Sequence, residues 1–275
     1  MGQKKIFATL FVVLAIACSN PAEKTKKVDT NSENVEEKQL SDAQKLVAGI
    51  EQIHRKHVFE SFDAVQFDLN LTFGGKERFD GRISMRTNGS AIKTENNNSI
   101  KLWNGTKAMV LPDTLNNESA RFGLLTWAYF FAAPYKLNDP GTKHEFLGQL
   151  QLGESELEAN KLTFNKGIGD TPNDWYIVYK DENSDLLAAM AYIVTSGETD
   201  LEEAEKDPHV ITYEAYVEVG GVPFATQWNF WTWNQEGEMD KLLGNATVSN
   251  IEFIKKAGDL FNLTASLDYP DLVED

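Results

Sequence analysis

The sequence predicts a mainly β fold of the α+β class: one large antiparallel sheet, curled into a barrel or half-barrel, with two helical pieces set into it. Three observations predict it. After residue 60 the spacing of apolar residues changes from about 3.6 to 2, the period of a half-buried strand. Many short apolar runs then follow one another across Gly- and Asn-rich turns too short to hold a crossover, which makes the pairing antiparallel. One segment breaks the alternation by being apolar on every side.

The elements follow in order. Ser41 supplies a capping side chain ahead of Leu46, Ile50, Ile53 and His57 at helical spacing, so a helix is predicted from Ser41 to about residues 57–59. Val65, Phe67, Leu69, Leu71 and Phe73 alternate with Gln66, Asp68, Asn70 and Thr72, the clearest strand in the chain. Gly74-Gly75 turns it, and strands fit residues 79–87, 91–95, 99–103 and 106–111. Between residues 119 and 134, Phe122, Leu124, Leu125, Trp127, Tyr129, Phe130 and Phe131 surround a helix that Pro134 ends. Such a helix must be buried, and it is too short to span a bilayer, which takes about 20 residues. Strands resume at 144–150, 157–165, 174–180, 186–195, 209–219, 222–233 and 244–254, with Gly220-Gly221 a hairpin signal. Glu198 to Asp207 reads as a solvated acidic loop.

The first residues carry a different message. Lys4 and Lys5 precede Ile6 to Ala17, an apolar run with Thr9 as its one polar residue, which is a signal-peptide pattern. It ends Leu14-Ala15-Ile16-Ala17-Cys18, which resembles a lipobox, and Cys18 is the only cysteine. Residues 1–17 are therefore expected to be cleaved and Cys18 to become an acylated N-terminus that tethers the protein to a membrane. Multiple acyl chains make such an anchor stable. Ser19, with no aspartate after the cysteine, is compatible with the outer membrane. Residues 19–40 are polar and charged and bury too little to fold, so 18–40 reads as lipidated cysteine and flexible linker. A single domain is expected over 41–275.

Losing Lys4 and Lys5 with the signal takes the formal charge from −16 to −18. That acidity argues against nucleic acid and anionic lipid head groups as partners. No disulfide can form within the chain, so the core must hold by packing alone.

Searches for chemistry return no catalytic residue, no metal site and no cofactor. His54 and His57 lack the companions that would complete a metal site. Ser90 to Lys93 matches S-x-x-K in a strand, without the helix that would aim the serine. Asp181 to Asp185 starts like a calcium loop, but Leu186 stands at the turn glycine and Tyr192 at the bidentate glutamate. A hairpin turn explains it better. Gly167-Ile168-Gly169 lacks the context of a nucleotide loop. No enzyme is expected.

Aromatic residues are the informative excess. Phe224, Trp228, Phe230, Trp231 and Trp233 fall within ten residues, and alternation sends Trp228 and Phe230 to one face and Trp231 and Trp233 to the other. One face can fill the core between sheet and helix while the other covers an edge or a terminal segment. Alternatively, one face lines an apolar cavity for a lipid-like ligand, or an exposed tryptophan stacks on sugar.

The order of features, with Leu102-Trp103-Asn104-Gly105, Ala133-Pro134-Tyr135-Lys136-Leu137, Asp174-Trp175-Tyr176-Ile177-Val178-Tyr179 and Val219-Gly220-Gly221-Val222-Pro223, resembles the LolA/LolB superfamily of lipoprotein carriers over roughly residues 41–255. It looks especially like an uncharacterised family of exported lipoproteins with that architecture. The resemblance implies a half-barrel with a helix against its concave face, a shape that encloses acyl chains in LolA and LolB. LolB, itself a lipoprotein, is the closer analogue. The expectation is a non-enzymatic, outer-membrane-anchored, periplasm-facing lipoprotein of a Gram-negative cell that binds or carries a lipid or other hydrophobic ligand. Phe67, Leu69, Trp103, Trp127, Phe130, Trp228 and Phe230 are the expected cavity wall or plug. The alternative is a fully packed barrel that serves as an interaction module for a protein partner.

Overall fold

Ser41 opens the first helix with a reciprocal capping box: its Oγ accepts from the Gln44 amide at 3.3 Å, and the Gln44 side chain accepts from the Ser41 amide at 3.0 Å. Helix α1 runs Asp42–Ile53 and buries Ala43, Leu46, Val47 and Ile50. The predicted single helix stops earlier than expected because Arg55 takes a left-handed conformation at φ 58°. A short helix α2, Lys56–Phe59, then turns Phe59 fully into the core. The computed structural model describes residues 39–112, 120–195 and 200–263. The predicted signal, Cys18 and all but the last two linker residues lie outside the described residues.

The first meander consists of β1 (Ala64–Phe73), β2 (Lys76–Arg86), β3 (Ile92–Asn96), β4 (Ser99–Trp103) and β5 (Ala108–Leu111). Helix α3 follows at Ala120–Ala132, and its trailing turn, Ala133–Tyr135, is a 3-10 helix. The second meander consists of β6 (Thr142–Leu152), β7 (Ser155–Phe164), β8 (Tyr176–Lys180), β9 (Leu187–Tyr192), β10 (His209–Val219), β11 (Val222–Thr232) and β12 (Leu242–Ile254). Among the described residues these twelve strands form one antiparallel sheet in the order β5-β4-β3-β2-β1-β12-β11-β10-β9-β8-β7-β6. It is an open half-barrel with β5 and β6 at its edges. The seam between the meanders is β1 against β12, in register from Ala64–Ile254 to Phe73–Gly244.

The two faces of the sheet are finished differently. On the concave face, odd residues of β1 and even residues of β11 join the inward side of α3 in the main core. On the opposite face of β7–β11, Leu157, Tyr179, Ala191, Val210 and Trp233 form a second core. The two aromatic faces of β11 therefore each have an apolar layer to fill. Of the stretch expected as a solvated loop, residues 198 and 199 lie outside the described residues and most of 201–207 is exposed, but Leu201–Ala204 form a short helix, α4, with Asp200 accepting from the Glu203 amide at 2.8 Å. Ala204 is buried in the second core, and Trp175 donates to Glu205 at 3.2 Å, so α4 rests on that core through Ala204 while Leu201, Glu202 and Glu203 stay exposed. Asp181 Oδ1 accepts from the Asn183 and Ser184 amides, an Asx turn that joins β8 to β9 and occupies the carboxylate a calcium loop would need.

Candidate apolar-ligand site

Helix α3 lies in the hollow of the half-barrel because, past Arg121 at its start and apart from Thr126, it offers apolar and aromatic side chains. Ala120, Leu124, Ala128, Phe130 and Phe131 are buried against the sheet. Phe131 is sandwiched between Phe67 of β1, centroids 3.8 Å apart, and Phe224 of β11, 5.2 Å apart, with interplanar angles of 12° and 14°. Phe130 meets Tyr192 of β9 at 5.0 Å and Phe230 of β11 at 6.2 Å, and its carbonyl accepts from the Tyr213 hydroxyl at 3.0 Å. Trp127 approaches Phe230 at 6.1 Å. The first turn is held at the rim, where the Arg121 guanidinium pairs with Asp170 and stacks 4.3 Å over the Trp103 ring.

All seven residues singled out from the sequence belong to this one core. Phe67, Leu69, Phe130, Trp228 and Phe230 are buried, Trp103 is 9% exposed beneath Arg121, and Trp127 is half-buried. Phe131 and Phe224 are more central than several of these and were not among them. A signal for both exists: Phe131 falls one helical turn after Trp127, and Phe224 shares a strand face with Trp228 and Phe230. Tyr135, Tyr192 and Tyr213 carry no comparable sequence mark.

Among the described residues, the hollow is packed with side chains of α3 and the sheet. The cavity beside Phe131, lined by Tyr135, Tyr213, Tyr216, Phe224 and Trp228 among others, measures about 10 Å³, room for one water. A shallower depression of about 390 Å³ opens beside Asp68, Asp80, Arg82, Glu95, Asn96 and Asn97, and its polar lining suits no apolar guest. On the outward side of α3, Phe122 is 43% exposed and Leu125 is half-buried.

The segment that trails α3 is tied down by polar contacts that the sequence does not advertise. Glu51 of α1, whose side chain is 13% exposed, accepts from the Asn138 amide at 2.9 Å and from Lys56 at 2.8 Å. Tyr135 stacks on Phe59 at 4.0 Å and donates to the Pro223 carbonyl at 2.9 Å. Removing the carboxylate strands the Asn138 backbone amide and leaves Lys56 only its longer pairs with Asp139 at 3.6 Å and Glu60 at 3.8 Å. Glu51→Ala is therefore expected to lose about 2 kcal/mol in urea unfolding, and Glu51→Gln, which keeps an acceptor, about half of that.

Among the described residues, no group of three or more His, Cys, Asp or Glu side chains is placed to hold a metal ion, and no helix is long and apolar enough to cross a membrane.

The chain is similar to LolA-superfamily proteins of known structure. One from Nitrosomonas europaea is 10% identical with a TM-score of 0.46, covering 83% of this chain and 100% of that one. A domain described as an outer membrane lipoprotein-sorting protein, from Vibrio parahaemolyticus, is 10% identical with a TM-score of 0.47, covering 82% and 99%. A DUF1329 family protein from Desulfovibrio piger is 11% identical with a TM-score of 0.44, covering 82% and 99%. No protein-family profile and no curated protein matches the sequence.

Proposed function

We propose that this protein is a non-enzymatic lipoprotein of the cell envelope, tethered through Cys18, whose half-barrel takes up a chain-like hydrophobic ligand in exchange for α3. The observation that carries this reading is that, beside Arg121 and Thr126, α3 exposes large apolar residues on the side away from the core. A helix that only roofs a finished core needs a polar outer face. Phe122 and Leu125 stand instead where such a face would be.

The energetics allow the exchange. Withdrawing Leu124, Trp127, Phe130 and Phe131 costs about 1.5–3 kcal/mol per side chain, roughly 6–12 kcal/mol in all. An acyl chain gains about 0.8 kcal/mol per buried methylene, so a chain of roughly 12–16 carbons offsets the loss. The filled hollow favours a second reading, a packed scaffold whose acidic surface meets a protein partner.

Native mass spectrometry with lipid extraction, on protein purified without detergent, separates the two. A reproducible lipid adduct and uptake of a fluorescent fatty acid are the expected results. A clean apo mass with no uptake removes the ligand reading and leaves the scaffold.

A further inference from the structure

His54 caps α1 from inside the protein, wholly buried. Its Nε2 accepts from the Leu187 amide at 3.0 Å, so the ring is neutral with its proton on Nδ1. Two tyrosines close around it, Tyr135 from the segment trailing α3 at 5.9 Å and Tyr216 from β10 at 5.6 Å. Tyr216 donates to the Leu187 carbonyl at 2.7 Å, and Tyr135 to that of Pro223. Three further chain segments thus meet the imidazole that α1 carries, and no carboxylate touches it. The nearest acidic group on its own helix, Glu51, is already engaged by Lys56 and Asn138.

A second histidine reaches the same segment from the other side. His144 of β6 takes a hydrogen bond at Nδ1 from the buried Asn160 of β7, 2.9 Å away, and faces the Leu137 carbonyl. Glu51 is the charged group nearest it from α1. Residues 133–138, which follow α3, therefore lie between two histidines, the wholly buried His54 against Tyr135 and the partly buried His144 beside Leu137, each with its pKa lowered by burial.

We propose that this junction is an acid release for α3: protonation of His54 and His144 undocks α1 and residues 133–138 from the sheet and frees the helix that fills the hollow. A protonated His54 turns its acceptor into a donor against the Leu187 amide and leaves a buried cation with no counterion. The direction follows from linkage. Burial lowers the His54 pKa to about 3 and also lowers that of His144, whereas a released histidine returns to about 6.5. Above that value both states are neutral and docking is insensitive to pH. Below it only the released state binds protons, so docking at His54 weakens by up to tenfold per pH unit down to about 3. The proposal rests on α3 being the movable part of the ligand site.

Hydrogen exchange on the intact protein, corrected for the intrinsic effect of pH, tests it without any ligand. Between pH 7.5 and 4.5, peptides in 42–59 and 120–138 are expected to lose tenfold or more of their protection while β10–β12 keep theirs. The logarithm of the opening constant should rise as pH falls below about 6.5, its slope approaching −1 from His54 alone, with any protonation of His144 making it steeper. A slope of zero, or equal loss across helices and sheet, overturns the proposal. His54→Gln with His144→Gln keeps hydrogen-bonding side chains that do not titrate, and the acid response should vanish. An undiminished response in that variant also overturns it. Fatty-acid uptake at pH 4.5 is read separately: loosened helices without uptake leave the acid release standing and remove the carrier reading.

Discussion

Phe131→Ala is expected to destabilise the protein by about 3–5 kcal/mol, the range for emptying a fully packed phenylalanine site. The ring is 4% exposed and stacked on both sides, by Phe67 and Phe224, which belong to strands of different meanders. Neither neighbour can close the gap without dragging its strand, so most of the cavity term should remain. Urea unfolding followed by tryptophan fluorescence measures the loss, and a value under about 1 kcal/mol would mean that α3 is not docked where it is described. The same variant separates the two functional readings. If α3 exchanges with ligand, weakening its grip raises the apparent affinity for a fluorescent fatty acid above that of the wild type. If the half-barrel is a permanent scaffold, the new space is a small dry cavity that takes up a benzene-sized molecule but no long chain.

The sheet was readable because its signal is local. Val65 to Phe73 alternates strictly, and the strand it predicts runs Ala64–Phe73. The strands at 99–103 and 209–219 coincide with β4 and β10, where Asn-rich or Gly-Gly turns bracket an apolar run. Strand ends moved by one to three positions, as at β2, which begins at Lys76 and not at residue 79, and β9, which stops at Tyr192 and not at residue 195, because pairing partners set those ends. Arg55 shows what a period cannot carry. Apolar spacing continues through His57, yet one left-handed residue breaks the helix so that His54 and Phe59 can both point inward. Helix α4 was missed because four residues give no periodicity, and the apolar contact that fixes it, Ala204 in the second core, is tertiary.

The candidate site was legible by composition and not by geometry. An excess of aromatics on β11 and a helix apolar all round identified which residues meet, but the sequence holds no measure of the space between them. Filling is decided by how far α3 sinks, and that depends on Phe131 and Tyr135 reaching strands about 90 residues later. The polar junction was less legible still. Glu51, His54, His144 and Asn160 are unremarkable singly, and only the fold brings them to residues 133–138.

Gly244→Ala is expected to cost about 3 kcal/mol or more, although alanine suits a strand better than glycine does. Gly244 sits in β12 opposite Phe73 of β1 and Phe230 of β11, at the seam between the two meanders. A Cβ there would stand 2.2 Å from the Thr72 carbonyl oxygen and 2.8 Å from the Phe73 Cα, both backbone atoms that cannot swing away. The strands must part, and the pairs from Leu71–Ala246 to Phe73–Gly244 are the first to go. Gly49→Ala is the matched control of opposite sign. It lies inside α1 with nothing within 4 Å of an added Cβ, so the variant should gain about 0.5–1 kcal/mol from helix propensity. Thermal unfolding of both variants gives the comparison. Equal effects at the two glycines would mean that β1 and β12 do not pair at Gly244, and with that pairing lost the two meanders would no longer form one continuous wall around α3.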